Sequence, residues 1–114
     1  MTPQQKTNLE SFCTLLDRTK QNFTTGTRCE NPYVDTPGDT CFCSAGLFYL
    51  KEFHYKMDRF RKHEFDPDYS RLYNKLGITY GDIYRLNDRS QSFKEVAKKI
   101  RQEYLNQYYR GYDE

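Results

Sequence analysis

Hydrophobic positions recur along this chain at helical spacing, in five runs separated by clear breakers. In the first, Leu9, Phe12, Cys13 and Leu16 fall at i, i+3, i+4 and i+7, the period of one buried helix face. Thr2-Pro3-Gln4-Gln5 precedes it as a capping box with proline at the first helical position, so a helix is expected to start at once. A second run collects Cys43, Gly46, Leu47, Leu50, Phe53, His54, Met57 and Phe60 on one face, with Asp39 or Thr40 as the expected cap. On this pattern Cys43 and His54 point inward.

The third run starts at Asp66-Pro67-Asp68, carries Tyr69, Leu72, Tyr73 and Leu76, and ends at Gly77. Ile78 and Ile83 flank Thr79 as a hydrophobic staple around a short fourth helix, which Asn87-Asp88-Arg89-Ser90 terminates. Ser92 and Glu95 form a second capping box, opening a last helix with Phe93, Val96, Ala97, Ile100 and Tyr104 on its inner face. Between the first two helices, residues 23–40 hold Gly26, Pro32, Pro37 and Gly38, which interrupt every period. A long irregular loop is expected there, with Tyr33-Val34 as a short strand. The prediction is a mainly α, compact single domain over 1–114: a bundle of about five helices, that loop, and a frayed tail at 106–114.

Composition tests whether such a chain can fold. Leu, Ile, Val and Phe make up 22 of 114 residues, close to the level at which disorder sets in. Eleven tyrosines change that balance, because each brings a large apolar ring and a polar tip that stays wet or hydrogen-bonded. A net charge of +2 over 34 charged residues is too even to announce nucleic-acid binding by itself. No apolar run approaches the roughly 20 residues of a membrane span, and the opening residues hold no apolar leader core. A cytoplasmic protein without membrane contact and with reduced cysteines is expected.

Candidate chemistry centres on "CFCSAGLF", residues 41–48. A cysteine hydrolase needs a thiol within hydrogen-bond reach of a histidine. Cys43 and His54, eleven residues apart on one predicted helix, would stand about 16 Å apart along its axis, so that helix cannot supply the dyad. A helix start would favour the thiolate of Cys41, which leaves a thiol-dependent enzyme using Cys41 or Cys43 as an alternative. Cys29, Cys41, Cys43 and either Cys13 or His54 have zinc-ligand types but lack the paired knuckle spacing of a zinc ribbon. Neither a metal nor a cofactor is expected.

The opposite face of the second helix is more suggestive. Phe48, Lys51, Tyr55, Arg59 and Lys62 fall within about 80° of arc, a basic stripe interleaved with aromatics. Such a stripe suits an acidic protein face or, as an alternative, nucleic-acid phosphates and bases. In the last helix Leu105, Tyr109 and Tyr112 lie off the core face and suggest a further contact, dimerisation among the uses.

Cys43-Ser44-Ala45-Gly46-Leu47-Phe48, Leu86-Asn87-Asp88 and Ser92-Phe93-Lys94-Glu95-Val96, in that order, resemble a family of small uncharacterised proteins from phages and bacteria. The family pattern is roughly Cys-x-x-Gly-Ala-Leu, then Trp-Asn-Asp, then Thr-x-x-Glu-Val, and the resemblance covers about residues 23 to 104. Cys43, Gly46, Asn87, Asp88, Glu95 and Val96 match, while Leu47-Phe48, Leu86 and Ser92 depart from it. The resemblance implies a phage or mobile-element setting and no particular reaction. It also marks Cys43, Gly46, Asn87 and Asp88 as a fold-defining cluster, with Gly46 admitting close backbone approach and Asn87 and Asp88 bonding loop amides or capping a helix. The function expected is therefore a non-catalytic binding protein, such as a phage-encoded host-interaction factor that inhibits a bacterial defence complex. A virion or assembly component is the remaining alternative.

Overall fold

Helix α1, Pro3–Arg18, starts where the capping box predicts: the Thr2 side chain accepts from the Gln5 amide, and Gln5 Oε1 accepts from the Thr2 amide at 2.9 Å. Its buried stripe is Leu9, Phe12, Cys13 and Leu16. The computed structural model describes residues 1–26, 29–30, 40–56 and 69–105. Within them four more helices follow: α2 (Ser44–Glu52), α3 (Tyr69–Leu76), α4 (Tyr80–Asp88) and α5 (Phe93–Ile100). A π-helical turn, Arg101–Leu105, extends the last of these. The protein is mainly α, as the periodicity predicts, and its buried residues form one core.

The segment expected to be irregular contributes strands. β1 (Asn22–Phe23), β2 (Cys29–Glu30) and β3 (Cys41–Phe42) form a small sheet in the order β1-β3-β2. β3 is parallel to β1 and antiparallel to β2. Two-residue strands leave no period to read in a sequence; only the neighbours that accept their backbone hydrogen bonds define them. The proposed Tyr33-Val34 strand and the Asp66-Pro67-Asp68 helix start lie outside the described residues.

Helix α2 differs most from expectation. It begins at Ser44, with Cys43 rather than Asp39 or Thr40 as its cap, and it ends at Glu52 rather than running on to Phe60. Every residue from Ser44 to Tyr49 is buried, so α2 has no outer face along that stretch. Beyond it His54 takes a left-handed backbone, φ +57°, and the Tyr55 amide donates to the Tyr49 carbonyl at 3.0 Å, folding the chain back over the helix end. His54 is exposed, not inward.

The C-terminal end of α3 is held by α1. Gln5 Nε2 donates to the Asn74 carbonyl at 3.1 Å, and Asn8 Nδ2 donates to the Lys75 carbonyl at 2.9 Å. Gly77 closes that end with φ +74°, and a Cβ there would stand 3.0 Å from Met1 Cγ and 3.1 Å from Gln5 Oε1. Carbonyls that a helix end leaves orphaned are thus bonded from a neighbouring helix. In α4, Thr79 and Asp82 make a reciprocal capping box, and the staple residues Ile78 and Ile83 are both buried. Ser92 caps α5, while Glu95 reaches one residue further back, to the Gln91 amide at 3.0 Å.

Candidate functional site

The cluster around Cys43 is a buried polar knot. Cys43 Sγ accepts from the Gly46 amide at 3.3 Å, so the thiol does the work of a serine or aspartate cap. Both the amide and the hydroxyl of Ser44 donate to Asn87 Oδ1 at 2.8 Å. Asn87 Nδ2 donates to the Thr24 carbonyl at 3.0 Å, and the Thr24 amide donates to the Phe42 carbonyl at 2.9 Å. Asp88 accepts from the Gly26 amide at 3.0 Å, where φ of +77° turns the chain. The structure brings all four residues of the predicted cluster to one place, joining the start of α2, the end of α4 and the strand-bearing loop.

Cys13, Cys41 and Cys43 belong to different elements, α1, β3 and the cap of α2. Cys41 lies in β3 and is half-buried, and Cys13 Sγ donates to the Ala97 carbonyl at 3.8 Å. Burial pushes the Cys13 thiol up from the usual 9.0 to about 12, far from nucleophilic. Cys43 and His54 stand at opposite ends of α2, about 14 Å apart along its axis. Among the described residues no three His, Cys, Asp or Glu side chains converge as a metal site would require.

The predicted partner-binding stripe is only partly surface. Phe48 is a correction: it is 1% exposed and meets Phe12 edge-on, with ring centres 5.3 Å apart. The wheel that placed it outside assumed a helix with one wet face, whereas α2 is enclosed on all sides there. Lys51 is exposed, and Tyr55 is half-buried against Tyr49 in a stacked pair at 5.1 Å. Arg59 and Lys62 lie outside the described residues, as do Tyr109 and Tyr112.

Leu105 is a second correction, buried at 3%. The π turn after Ile100 holds one more residue per turn than an α-helix, so the inward position passes from Tyr104 to Leu105. Tyr104 stays half-buried, its hydroxyl accepting from Arg85, which also pairs with Glu103 at 3.0 Å.

Sequence reasoning missed the broader aromatic surface that Tyr55 joins. From Tyr55 the rings continue through Tyr49 to Tyr80 at 6.4 Å, and from Tyr80 to Tyr69 at 5.0 Å and Tyr84 at 6.1 Å. Tyr69 and Tyr73 are 52% and 49% exposed, and with Tyr80 they line an open groove between α3 and α4. On the other side of α3 the Arg71 guanidinium sits 3.9 Å over the Phe53 ring, and Lys75 pairs with Glu52 at 3.0 Å. The available signal was the pair Tyr69 and Tyr73, one turn apart and read as core, although Leu72 and Leu76 alone bury that helix.

In comparisons with known proteins the chain matches no family model, no curated protein and no solved structure. None of the described helices is long and apolar enough to cross a membrane.

Proposed function

We propose that this chain is a small non-catalytic binding protein acting on a protein partner, an accessory or host-interaction factor of the kind a phage encodes against a bacterial defence complex. The observation that carries this reading is the half-exposure of Tyr69 and Tyr73, which with Tyr80 line an open groove. Apart from Met1, these are the only large hydrophobic side chains exposed among the described residues. Tyrosine and arginine anchor interfaces because a large rigid area is gained at small entropic cost, and each tip still finds a hydrogen bond. The phage setting rests on the resemblance in residues 43–48, 86–88 and 92–96.

The alternative of a thiol-dependent enzyme using Cys41 or Cys43 draws little support from this geometry, since Cys43 is engaged as a cap and Cys41 lies in strand β3 rather than at the helix start. Nucleic-acid binding is the second reading, favoured by exposed rings of the kind that stack on bases and by the exposed cations Lys51, Lys56 and Arg71 elsewhere on the surface. Quantitative capture from a candidate host, comparing the native chain with a Tyr69→Ser/Tyr73→Ser variant and a Lys94→Gln/Lys98→Gln control, tests the proposal. A protein retained by the native chain and the control but lost with the tyrosines supports it. Equal retention by all three would overturn it, and retention abolished by nuclease would favour the second reading.

A further inference from the structure

The lining of the groove between α3 and α4 selects the chemistry of its occupant. Three tyrosines, Tyr69, Tyr73 and Tyr80, share its walls with Ser70, Asn74 and Thr79. Among the described residues this lining holds no charged side chain and no aliphatic one. Its volume, about 550 Å³, lies within the roughly 300–1,000 Å³ of small-ligand sites. The Ser70 hydroxyl, the Tyr73 hydroxyl and the Asn74 carboxamide make no hydrogen bond to other described residues. The Thr79 hydroxyl accepts from the Asp82 amide at 3.0 Å and keeps its own proton to donate. Tyr80 has three ring neighbours, Tyr69 at 5.0 Å, Tyr84 at 6.1 Å and Tyr49 at 6.4 Å, so it is set in place before a ligand arrives.

Each of these features disfavours a class of ligand. A phosphate, carboxylate or ammonium group would give up water and meet no counter-charge in the lining. A wholly apolar chain would cover the hydroxyls and the carboxamide without replacing the water they lose. A flat base can stack on one wall but not on two, because the planes of Tyr69 and Tyr80 stand 79° apart and make a corner. What remains is neutral, puckered rather than flat, and presents C–H surface and hydroxyls together. A pyranose is such a ligand. Its C–H faces lie against aromatic rings, and its hydroxyls both donate and accept, as the hydroxyls of Ser70, Tyr73 and Thr79 and the carboxamide of Asn74 do.

We infer that this groove binds a neutral saccharide, free or borne on the partner protein. A pyranose ring sits in the corner of Tyr69 and Tyr80, and Ser70, Tyr73 and Asn74 bond its hydroxyls. The inference rests on the reading of the chain as a binding protein that grips through these tyrosines, and it names what they grip. Gly81, also in the lining, offers a way to close the groove without disturbing the fold, because a Cβ built there meets nothing nearer than Thr79 Oγ1 at 3.7 Å.

The test is an NMR titration of the full ¹⁵N-labelled chain with the methyl glycosides of glucose, galactose, mannose and N-acetylglucosamine. The methyl glycoside of glucuronic acid, N-acetyl-leucine methylamide and oligothymidylate are titrated alongside. At least one neutral glycoside is expected to give saturable shifts at the amides of 69–74 and 79–82. Glucuronoside and leucine derivative should bind more weakly by about tenfold, and Gly81→Leu and Asn74→Ala should each weaken the sugar about as much. Unchanged melting temperatures of the two variants ensure that a loss reports the groove and not the fold. Capture of a host protein that is lost after periodate oxidation of the host extract places the sugar on the partner, whereas capture that survives oxidation makes the ligand a free sugar. Saturation by none of the neutral glycosides, or equal binding of the glucuronoside, overturns the inference. A host protein still captured through Tyr69 and Tyr73 would then leave the protein-binding reading intact. Tighter binding of the leucine derivative overturns the inference and gives the groove to a peptide side chain, and tighter binding of oligothymidylate overturns both. Concentration-dependent broadening of the groove amides without ligand also overturns the inference, and gives the groove to a second copy of this chain.

Discussion

The two ends of helix α2 gather different residue types and put them to opposite use. At its start, Cys43, Ser44, Asn87 and Asp88 bring together a thiol, a hydroxyl, an amide and a carboxylate, yet the first three are buried and the bonds all run within the fold. At its far end, Phe53, Tyr55 and the tyrosines of α3 and α4 make an aromatic surface that still has Tyr69 and Tyr73 half in water. A polar group whose bonds are all made inside the protein has nothing left to offer a ligand, whereas an exposed ring gains by being covered. The comparison separates residues that build the protein from residues that act for it.

The largest expected effect breaks the first end. Asn87→Leu leaves the Ser44 amide and hydroxyl and the Thr24 carbonyl without their partner in a dry site, and should cost about 3–5 kcal/mol of stability, read from urea unfolding. A loss below about 1 kcal/mol would mean the knot is solvated.

The second end should respond the other way round. Tyr69→Ser with Tyr73→Ser should weaken partner capture by about 2–4 kcal/mol while unfolding midpoints hold within about 0.5 kcal/mol. A large drop in stability would place those rings with the core and erase the contrast.

Cys43 sharpens the meaning of the knot. Cys43→Ala removes the acceptor for the Gly46 amide and should cost about 1–2 kcal/mol. Cys43→Ser keeps an oxygen acceptor at the cap and should cost less than the alanine variant, although a serine hydroxyl buried in an apolar core would cost more. Urea unfolding of the pair decides whether the thiol caps or merely packs.

Lys51→Gln with Lys56→Gln should act on rate. Association should slow several-fold, by roughly 1 kcal/mol or less, and its salt dependence should flatten while dissociation stays unchanged. Surface plasmon resonance at two salt concentrations reads both.

The smallest effect, nil at neutral pH, belongs to Cys13. Its thiol titrates near 12 when folded and near 9.0 when exposed, so between those values the unfolded chain has lost a proton that the native protein keeps. Stability should be unaffected below pH 9.0 and should fall as pH rises through that window. Cys13→Ala should flatten the slope in urea titrations over the same range.

Much of this protein is legible in its sequence for reasons that can be located. The α1 capping box, the Gly77 stop, the Ile78 and Ile83 staple and the Ser92 cap are contacts among residues within a few positions of each other, so local chemistry suffices. The gathering of Cys43, Gly46, Asn87 and Asp88 was legible through an ordered resemblance rather than through spacing. Phe48 and Leu105 were not legible, because a wheel projection assumes one wet face and a constant 3.6-residue turn, and α2 and the π turn respectively violate those assumptions. The groove escaped notice because Tyr69, Tyr73 and Tyr80 belong to two helices whose mutual placement no local pattern encodes.

By itself, then, the sequence determined where four of the five helices start or stop and, the two tyrosines of α3 apart, which apolar stripe each turns inward, since caps, glycines and periodicity act over a turn or two. Only the tertiary structure decided that Cys43 is a cap, that α2 is enclosed on every side over Ser44–Tyr49, and that the tyrosines of α3, α4 and the segment after α2 gather around buried Tyr49. Enclosure and convergence are properties of neighbours far apart along the chain, and a side chain's role follows from whether such neighbours leave it any water to give up.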